Sequence, residues 1–490
     1  MLLHIVMKYF RLPYILFRDY QDFGYLTDNR NFGYDTASKS CLKVGDTLLS
    51  KVGSVFYSVL EDKPLSVTSL SKKLLPLFKD VTATELEKDA AEFYGMLAED
   101  GFVGQDEISA VASYFSYSDR VAKPLPLAED WQEKSNEVFK KWGSCYHLSR
   151  VHLEISCACN ERCVHCYFPD TYREGTMSRD LFLRILAQCL TNNVLSITIS
   201  GGEPLLNSDV LFFIRECAKN NFSINLLSNL ILMTDEMLEM FTQTPLLSIQ
   251  TSLYSMIPEI HDSITQVKGS FHKTKSAIER LHKNNIPMQI NCPIMKQNKD
   301  SYKSVLDWAK SLNIEANSDF MLFGCFDGLG RNLQSRLDLS EVEQIIREKS
   351  FREEEQSEQK LGNQNYNICS ICVSSLCIAH NGKVYPCEGW QSYTLGNIND
   401  ETLAQIWNGP STHRLRNYTI NDLPTCRICS VRDYCSICLL RNANESPNGD
   451  FRDVSPFFCE IAKLKKMIKN ALSTDSKRSD PFTVDGLFSS

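Results

Sequence analysis

The residues with the clearest chemical potential are three cysteines in Cys159-Asn160-Glu161-Arg162-Cys163-Val164-His165-Cys166, spaced by three and then two residues. They follow a strand-like run, Val151–Ser156. Three thiolates on one short loop can grip three irons of a [4Fe–4S] cube and leave the fourth without a protein ligand. An open coordination position separates a metal that does chemistry from one that only holds structure. In parallel α/β folds sites lie at the carboxyl ends of strands, which is where this loop falls. A zinc site with Cys157 as fourth ligand is the competing reading. Downstream, Ser200-Gly201-Gly202-Glu203-Pro204 follows a second strand-like run, a glycine turn beside a carboxylate. Of the 19 cysteines, nine more lie between Cys369 and Cys459. In a long chain without a secretion signal, such clusters indicate metal binding rather than disulfides. The other six (Cys41, Cys145, Cys189, Cys217, Cys292 and Cys325) read as small buried apolar residues.

Composition limits what surrounds these residues. At ~100–200 residues per domain, 490 residues predict two to four domains. With 52 Lys and Arg against 60 Asp and Glu, the chain lacks the basic excess of a nucleic-acid binder. Apolar runs such as Val210–Ile214 and Leu230–Met233 are far shorter than the ~20 residues that span a bilayer. The N-terminus carries Lys8, Arg11 and Arg18 and no small-residue cleavage site, a poor signal peptide. A cytoplasmic protein without membrane partners is expected.

The elements that must position the cysteines follow from periodicity. Residues 11–104 begin with strand-like Tyr14–Phe17 and Phe23–Thr27, with a hairpin turn at Asp28–Asn31. Amphipathic stretches follow at Val52–Leu60, Val67–Phe78 and Thr84–Glu99, the last with Leu86, Ala90, Phe93 and Leu97 at helical spacing and Gly101 as its stop. This reads as a winged-helix-like module. Residues 105–150 are polar and read as a linker. Strands at Val151–Ser156, Leu195–Ser200, Ser223–Leu227, Leu247–Ser252, Met288–Pro293 and Phe320–Phe323 alternate with helices at Ser178–Thr191, Ser208–Asn220, Thr234–Thr242 and Ser270–Asn284. That alternation predicts an α/β fold, a partial (β/α)6 barrel over 151–345. Glu341–Lys360 reads as a solvated charged helix. Residues 363–470 are cysteine-rich and loop-rich and read as a domain needing metal for its core. Residues 471–490 read as a disordered tail.

The motif Cys159-x3-Cys163-x2-Cys166-Tyr167, with its trailing aromatic, resembles the radical S-adenosylmethionine (SAM) family. That resemblance implies that SAM binds the open iron and is cleaved, on one-electron reduction, to methionine and a 5′-deoxyadenosyl radical. Gly201, Gly202, Glu203 and Pro204 resemble the family's SAM-binding turn, where the glycines would let backbone groups approach the methionine amino group and Glu203 would supply a nearby carboxylate. Ser228-Asn229 partly matches its Thr-Asn-Gly, with Leu230 in place of glycine. Ser252 ends a strand where relatives place a serine near the ribose. Ser252-Leu253-Tyr254, His261-Asp262, Thr265 and Gly269-Ser270-Phe271 look like the same stretch in peptide-modifying members.

The later cysteines, with Gly382–Cys387 and Leu395–Ile398 between them, resemble the SPASM extension, which holds two auxiliary [4Fe–4S] clusters. The resemblance implies one on Cys369, Cys372, Cys387 and Cys438, and a second on Cys426, Cys429, Cys435 and Cys459. The Cys435–Cys438 gap is one residue shorter than the family's, and Cys377 competes with Cys369. Glu388 stands where sulfatase-maturing relatives carry a candidate acid or base. In the N-terminal stretch, Val52–Leu60, Ser66, Leu70, Phe93, Leu97 and Gly101–Val103 resemble the leader-recognition element of enzymes that modify ribosomally made peptides, capturing a leader as an added strand. The expected activity is a radical SAM peptide maturase with three [4Fe–4S] clusters, a precursor-peptide substrate and a flavodoxin- or ferredoxin-type reductant, closing a cysteine thioether. Carbon–carbon crosslinking, epimerisation, sulfatase-type maturation and a zinc-held peptide-binding protein are the alternatives.

Overall fold

The computed structural model of the chain describes residues 7–33, 45–106, 131–353, 368 and 371–476. The N-terminal module contains β1 (Lys8–Arg11), β2 (Leu16–Asp19), β3 (Phe23–Thr27), β4 (Asp46–Ser50), α1 (Lys51–Ser58), β5 (Leu65–Ser66), α2 (Val67–Leu74), α3 (Ala83–Glu99) and β6 (Val103–Asp106). Strands β2-β3-β4 form one small antiparallel sheet and β5-β1-β6 another. Ser50 and Ser66 cap α1 and α2, and Thr82 with Glu85 forms a capping box on α3, so each start satisfies amides that have no helical partner. Leu86, Ala90, Tyr94 and Leu97 are the buried stripe of α3. Tyr94 is fully buried while Phe93, the expected member, is partly exposed. The β2–β3 hairpin turns at Gln21 (φ 69°), and Asp28–Asn31 opens the longer connection to β4.

The expected linker is not all linker. Residues 131–145 form α4 (Trp131–Cys145). Its polar composition hid two anchors, Val138 and Trp142, which are buried beside Leu16, Tyr25 and Phe32. Trp142 meets Tyr25 edge-on at 5.0 Å between ring centroids, the geometry aromatic quadrupoles favour.

The barrel comprises β7 (Arg150–Ser156), α5 (Arg179–Thr191), β8 (Ser196–Gly201), α6 (Val210–Lys219), β9 (Ser223–Leu227), α7 (Asp235–Gln243), β10 (Leu247–Ser252), α8 (Pro258–Thr265), α9 (Ser270–Lys283), β11 (Met288–Asn291), α10 (Tyr302–Ser311), β12 (Glu315–Asn317) and α11 (Leu339–Glu353). Strands β7 to β12 pair in chain order, all parallel, which makes an open, partial barrel. Ile197, Ile199, Ile224, Leu226 and Ile249 are completely buried, as expected where helices cover a parallel sheet. The sixth strand differs from the one expected. It is Glu315–Asn317, a polar edge strand without apolar alternation, whereas residues 320–323 are irregular and bury Phe320 and Leu322. Helix α11 also departs from the solvated reading, because Val342, Ile345 and Ile346 enter the core.

The remaining elements are β13 (Ser375–Ala379), β14 (Lys383–Tyr385), β15 (Gly396–Asn397), α12 (Leu403–Trp407), α13 (Pro410–Arg416), α14 (Pro424–Arg427), α15 (Leu439–Glu445) and α16 (Pro456–Ser476). Strand β13 runs parallel to β7 and extends the sheet to nine strands, with β14 and β15 antiparallel beyond it. Trp390, Leu403, Trp407 and Leu439 join the barrel's own core. The buried pair Arg336–Glu445 ties a barrel loop to α15. Helix α16 continues six residues into the expected tail.

The N-terminal module docks on the floor of the barrel, where the strands begin. Arg18 Nε donates to Val194 O at 3.1 Å. Asn221 joins β2 through Phe17 N (2.8 Å) and Ile15 O (3.1 Å), and Asn225 Nδ2 donates to Phe32 O at 2.8 Å. Leu195 and Leu246 are buried against Leu16, Tyr25 and Trp142. No helix among the described residues is long and apolar enough to cross a membrane.

Candidate active site

At the opposite, carboxyl ends of the strands lies a cavity of about 460 Å³. Its walls include Cys159, Cys163 and Cys166, followed in the chain by Tyr167. The loop bearing the thiols is fixed by main-chain bonds on two sides. Cys157 N donates to Gly175 O (2.9 Å), Arg162 N to Thr265 O (3.0 Å) and Val164 N to Ile264 O (2.9 Å). The stretch around Asp262 therefore supports the loop from behind. Asp262 in turn accepts from Gly269 N and from Ser270 Oγ and Phe271 N at 2.9 Å, locking the turn between α8 and α9.

The glycines explain how the second motif meets the first. Gly201 has φ 139°, and a Cβ there would lie 2.0 Å from Ser156 O. At Gly202 a Cβ would lie 2.5 Å from Ala158 O. Only glycine permits this approach. Gly202 N donates to Ser156 O (2.7 Å) and Glu203 N to Ala158 O (2.8 Å), so these two amides are spent on the cysteine loop. Gly201 and Gly202 still line the cavity, as do Asn229 and Ser252.

Glu203 and Pro204 take different places. Pro204 is buried at the start of a short 3-10 turn. Glu203 is fully buried, and its carboxylate accepts from Leu205 N (2.9 Å), Ser228 Oγ (2.7 Å) and Asn229 N (2.8 Å). Burial pushes its carboxyl up to about 7 against those three bonds. Glu203 thus braces the loop after β8 to the loop after β9. It sets Asn229, whose Nδ2 donates to Asn160 Oδ1 at 2.7 Å beside the first thiol.

Several lining residues, Tyr254 apart, carried no sequence signal. Glu161 is buried within the cysteine loop, its carboxyl pushed up to about 7 by burial, and it accepts from Cys163 Sγ at 3.3 Å. Tyr254 OH points at Cys163 Sγ from 3.9 Å. His165, kept neutral by burial that lowers it to about 4, and Thr251 each leave a buried polar atom, Nδ1 and Oγ1, without a partner. Burial likewise raises the Cys159 thiol to about 11 and Cys163 upward. Burial thus favours the protonated thiol at Cys159 and Cys163, so metal loading there must release protons. Three converging, reduced thiols with unpartnered polar atoms at the walls suit a cluster with one open iron and a polar ligand over it.

Glu388 lines the same cavity, 3.8 Å from His152 Nδ1, while His152 Nε2 is hydrogen-bonded to Ser200 Oγ. Behind it Glu154 is buried, accepts from Gln391 Nε2 at 3.0 Å, and is pushed up to about 8 by burial and by the Glu388 charge.

Among the C-terminal thiols, Cys426, Cys435 and Cys459 are raised first by burial and then by neighbouring cysteines, which places them and Cys429 close together. Cys372 is fully buried, Cys377 neighbours Cys387, and Cys438 lines a second cavity of about 520 Å³. That cavity shares Asp319, Met321 and Phe323 with the first. Cys369 and Cys41 lie outside the described residues. Of the six cysteines expected to be buried, Cys189, Cys217, Cys292 and Cys325 are, whereas Cys145 is exposed near the end of α4. Among the described residues no three His, Cys, Asp or Glu side chains gather closely enough to share a single metal ion.

Comparison with known proteins adds identity to this geometry. Residues 153–309 match the model of the Radical SAM superfamily, and residues 369–430 that of SPASM, an iron–sulfur cluster-binding domain. The AdoMet-dependent heme synthase of Methanosarcina barkeri is 25% identical over 331 residues, 62% of this chain and 94% of the synthase. The antilisterial bacteriocin subtilosin biosynthesis protein AlbA of Bacillus subtilis is 25% identical over 312 residues, 60% of this chain and 68% of AlbA. Among solved structures, Streptococcus suis SuiB bound to its precursor peptide SuiA superposes with a TM-score of 0.56 at 15% identity, covering 92% of this chain and 99% of SuiB. Iron–sulfur clusters and SAM are the cofactors that these two domains imply. Residues 153–309 are thus a radical SAM domain and residues 369–430 a SPASM iron–sulfur domain, and the chain that carries them is a radical SAM enzyme.

Proposed function

We propose that the protein is a peptide maturase. A ribosomally made precursor would be held through its leader by the N-terminal module, and its core would receive an intramolecular crosslink, a cysteine thioether. The observation that carries this reading is a cavity lined by three thiols at one end of a barrel whose other end bears a fused module of small sheets and three helices. That combination matches in fold a structure solved with a precursor peptide, and AlbA belongs to bacteriocin biosynthesis. When bound at Cys159, Cys163 and Cys166, the reduced cluster with SAM supplies a 5′-deoxyadenosyl radical that removes a hydrogen atom from an unactivated carbon.

The chain's own residues do the rest. Gly201, Gly202, Asn229 and Ser252 bind and orient SAM along the carboxyl ends of β8 to β10, and Tyr167 closes the cysteine loop. Glu203 keeps two of those loops in register. Glu388 is proposed to take the proton that the substrate thiol releases, with His152 orienting it. Cys369 or Cys377, with Cys372, Cys387 and Cys438, would hold one auxiliary cluster, and Cys426, Cys429, Cys435 and Cys459 the other, bringing the total to three. These would accept the electron left as the new bond forms. A flavodoxin- or ferredoxin-type carrier is the proposed electron partner.

The test is anaerobic. Reconstituted protein should bind about twelve irons and twelve sulfides for three cubes and, with SAM and dithionite, release 5′-deoxyadenosine. Co-expression with a short cysteine-containing peptide encoded beside its gene should yield a product two hydrogens lighter, with the cysteine no longer alkylated by iodoacetamide. A peptide of unchanged mass would point to epimerisation. Stoichiometric zinc without iron would end the enzymatic reading.

A further inference from the structure

The surface over the second group of C-terminal thiols is unlike the rest of the molecule. The chain as a whole is acidic, with 60 acids against 52 bases. Around Cys426, Cys429, Cys435 and Cys459 the balance reverses. Arg427, Arg432, Lys463, Lys465, Lys466 and Lys469 surround them, against three acids, Asp422, Asp433 and Glu460, the last two paired with Arg432 and Lys463. Four observations place the lysines of α16 at this spot. Lys466 Nζ donates to Ser430 O at 2.9 Å. Lys469 lies 5.9 Å from the Tyr434 ring. The Lys463 charge acts on Cys459, and the Lys465 charge on Cys435.

Between two of the thiols stands Ile428, 82% exposed, the most exposed of the large apolar side chains among the described residues. Met467 on α16 is 47% exposed. Cys429, Cys435 and Cys459 are themselves only partly buried. A small apolar centre within a one-signed charged rim, directly over redox ligands, is the composition of a brief electron-transfer encounter. Such interfaces are small, are found by electrostatic steering, and separate quickly.

We infer that this face is the docking surface for a small acidic one-electron carrier protein of the flavodoxin or ferredoxin class. The inference rests on the SPASM reading of these cysteines and adds where the carrier binds. Lys466 and Lys469 steer the acidic partner, and Ile428 supplies the apolar contact at the centre.

The test uses the anaerobically reconstituted holoenzyme and a purified acidic bacterial flavodoxin as probe, with affinity read from flavin fluorescence. The wild type should bind at low ionic strength and weaken steeply as salt is added. Lys466→Glu with Lys469→Glu should weaken binding about tenfold or more at low salt and flatten the salt dependence. The milder pair Lys466→Gln and Lys469→Gln should lie between, and Ile428→Ser should weaken binding with the salt dependence retained. Dithionite-driven release of 5′-deoxyadenosine, measured on the same samples, should stay at the wild-type level. Equal affinity in wild type and the charge-reversed variant, or no binding to either flavodoxin or an acidic ferredoxin, overturns the docking assignment. Failure of the wild type to release 5′-deoxyadenosine would instead strike the enzymatic reading, so the two failures are distinguishable.

Discussion

The thiols at the barrel mouth and those over the C-terminal helix are presented by opposite kinds of structure. Cys159, Cys163 and Cys166 sit on a loop bonded through main-chain groups to the segment around Gly175, to α8 and to the turn after β8. A nine-stranded sheet and a large apolar core supply that frame. Cys426, by contrast, lies in the four-residue helix α14, and Cys435 follows a single 3-10 turn. Their local core is Ile420, Leu423 and Cys426 with a few partly buried neighbours. The difference teaches which site is pre-organised and which one its metal must complete.

Iron removal should expose that contrast most strongly. After anaerobic chelation, amides of residues 424–438 should lose about a hundredfold or more of their hydrogen-exchange protection while β7 to β10 stay protected, as expected for units of unequal stability. Equal loss in both regions would break the comparison.

A pair of glycine substitutions should sharpen it. Gly201→Ala forces a methyl into Ser156 O and should cost about 3 kcal/mol or more, with loss of SAM binding. Gly449→Ala in the C-terminal region meets open space at φ 68°, and should cost only about 1–2 kcal/mol for the left-handed backbone. Denaturant titration of both variants measures the gap, and similar costs would undo the distinction.

The smallest effect concerns Glu154, whose carboxyl is raised to about 8 beside the barrel site. The folded protein keeps this proton to about pH 8, whereas the unfolded chain releases it near pH 4.5. Stability should therefore fall as pH rises from about 4.5 to 8 and then level off. Glu154→Gln should reduce that decline, read as a smaller difference in melting temperature between pH 6 and pH 8.5. An unchanged pH dependence would show that burial does not hold the proton.

Most of the barrel could be read from the chain because parallel strands buried on both faces, such as Ile197–Ile199 and Ile224–Leu226, carry their own apolar signal, and turns before and after them are marked. The sixth strand escaped because Glu315–Asn317 owes its extended form to pairing with β11 rather than to composition. Helix α4 escaped because its two anchors sit among charged residues. In the site, thiols and glycines announced themselves by spacing. Glu161, His165 and Thr251 did not, because nothing in a lone polar residue says that the fold will close around it. The direction in which Glu203 points, toward Ser228 and Asn229, was equally beyond the linear pattern.

The way the N-terminal module seats on the strand starts has a practical corollary. Leu195 and Leu246 are covered by side chains of residues 16–32 and of α4, and Val194 O and Asn221 depend on Arg18 and Ile15 for hydrogen bonds. The module is a foundation stone as much as an attachment. Cutting it away would bare greasy floor and orphan polar groups, so a truncated chain that fails says nothing about what the module recognises, and only exposed single-residue changes can ask that question cleanly.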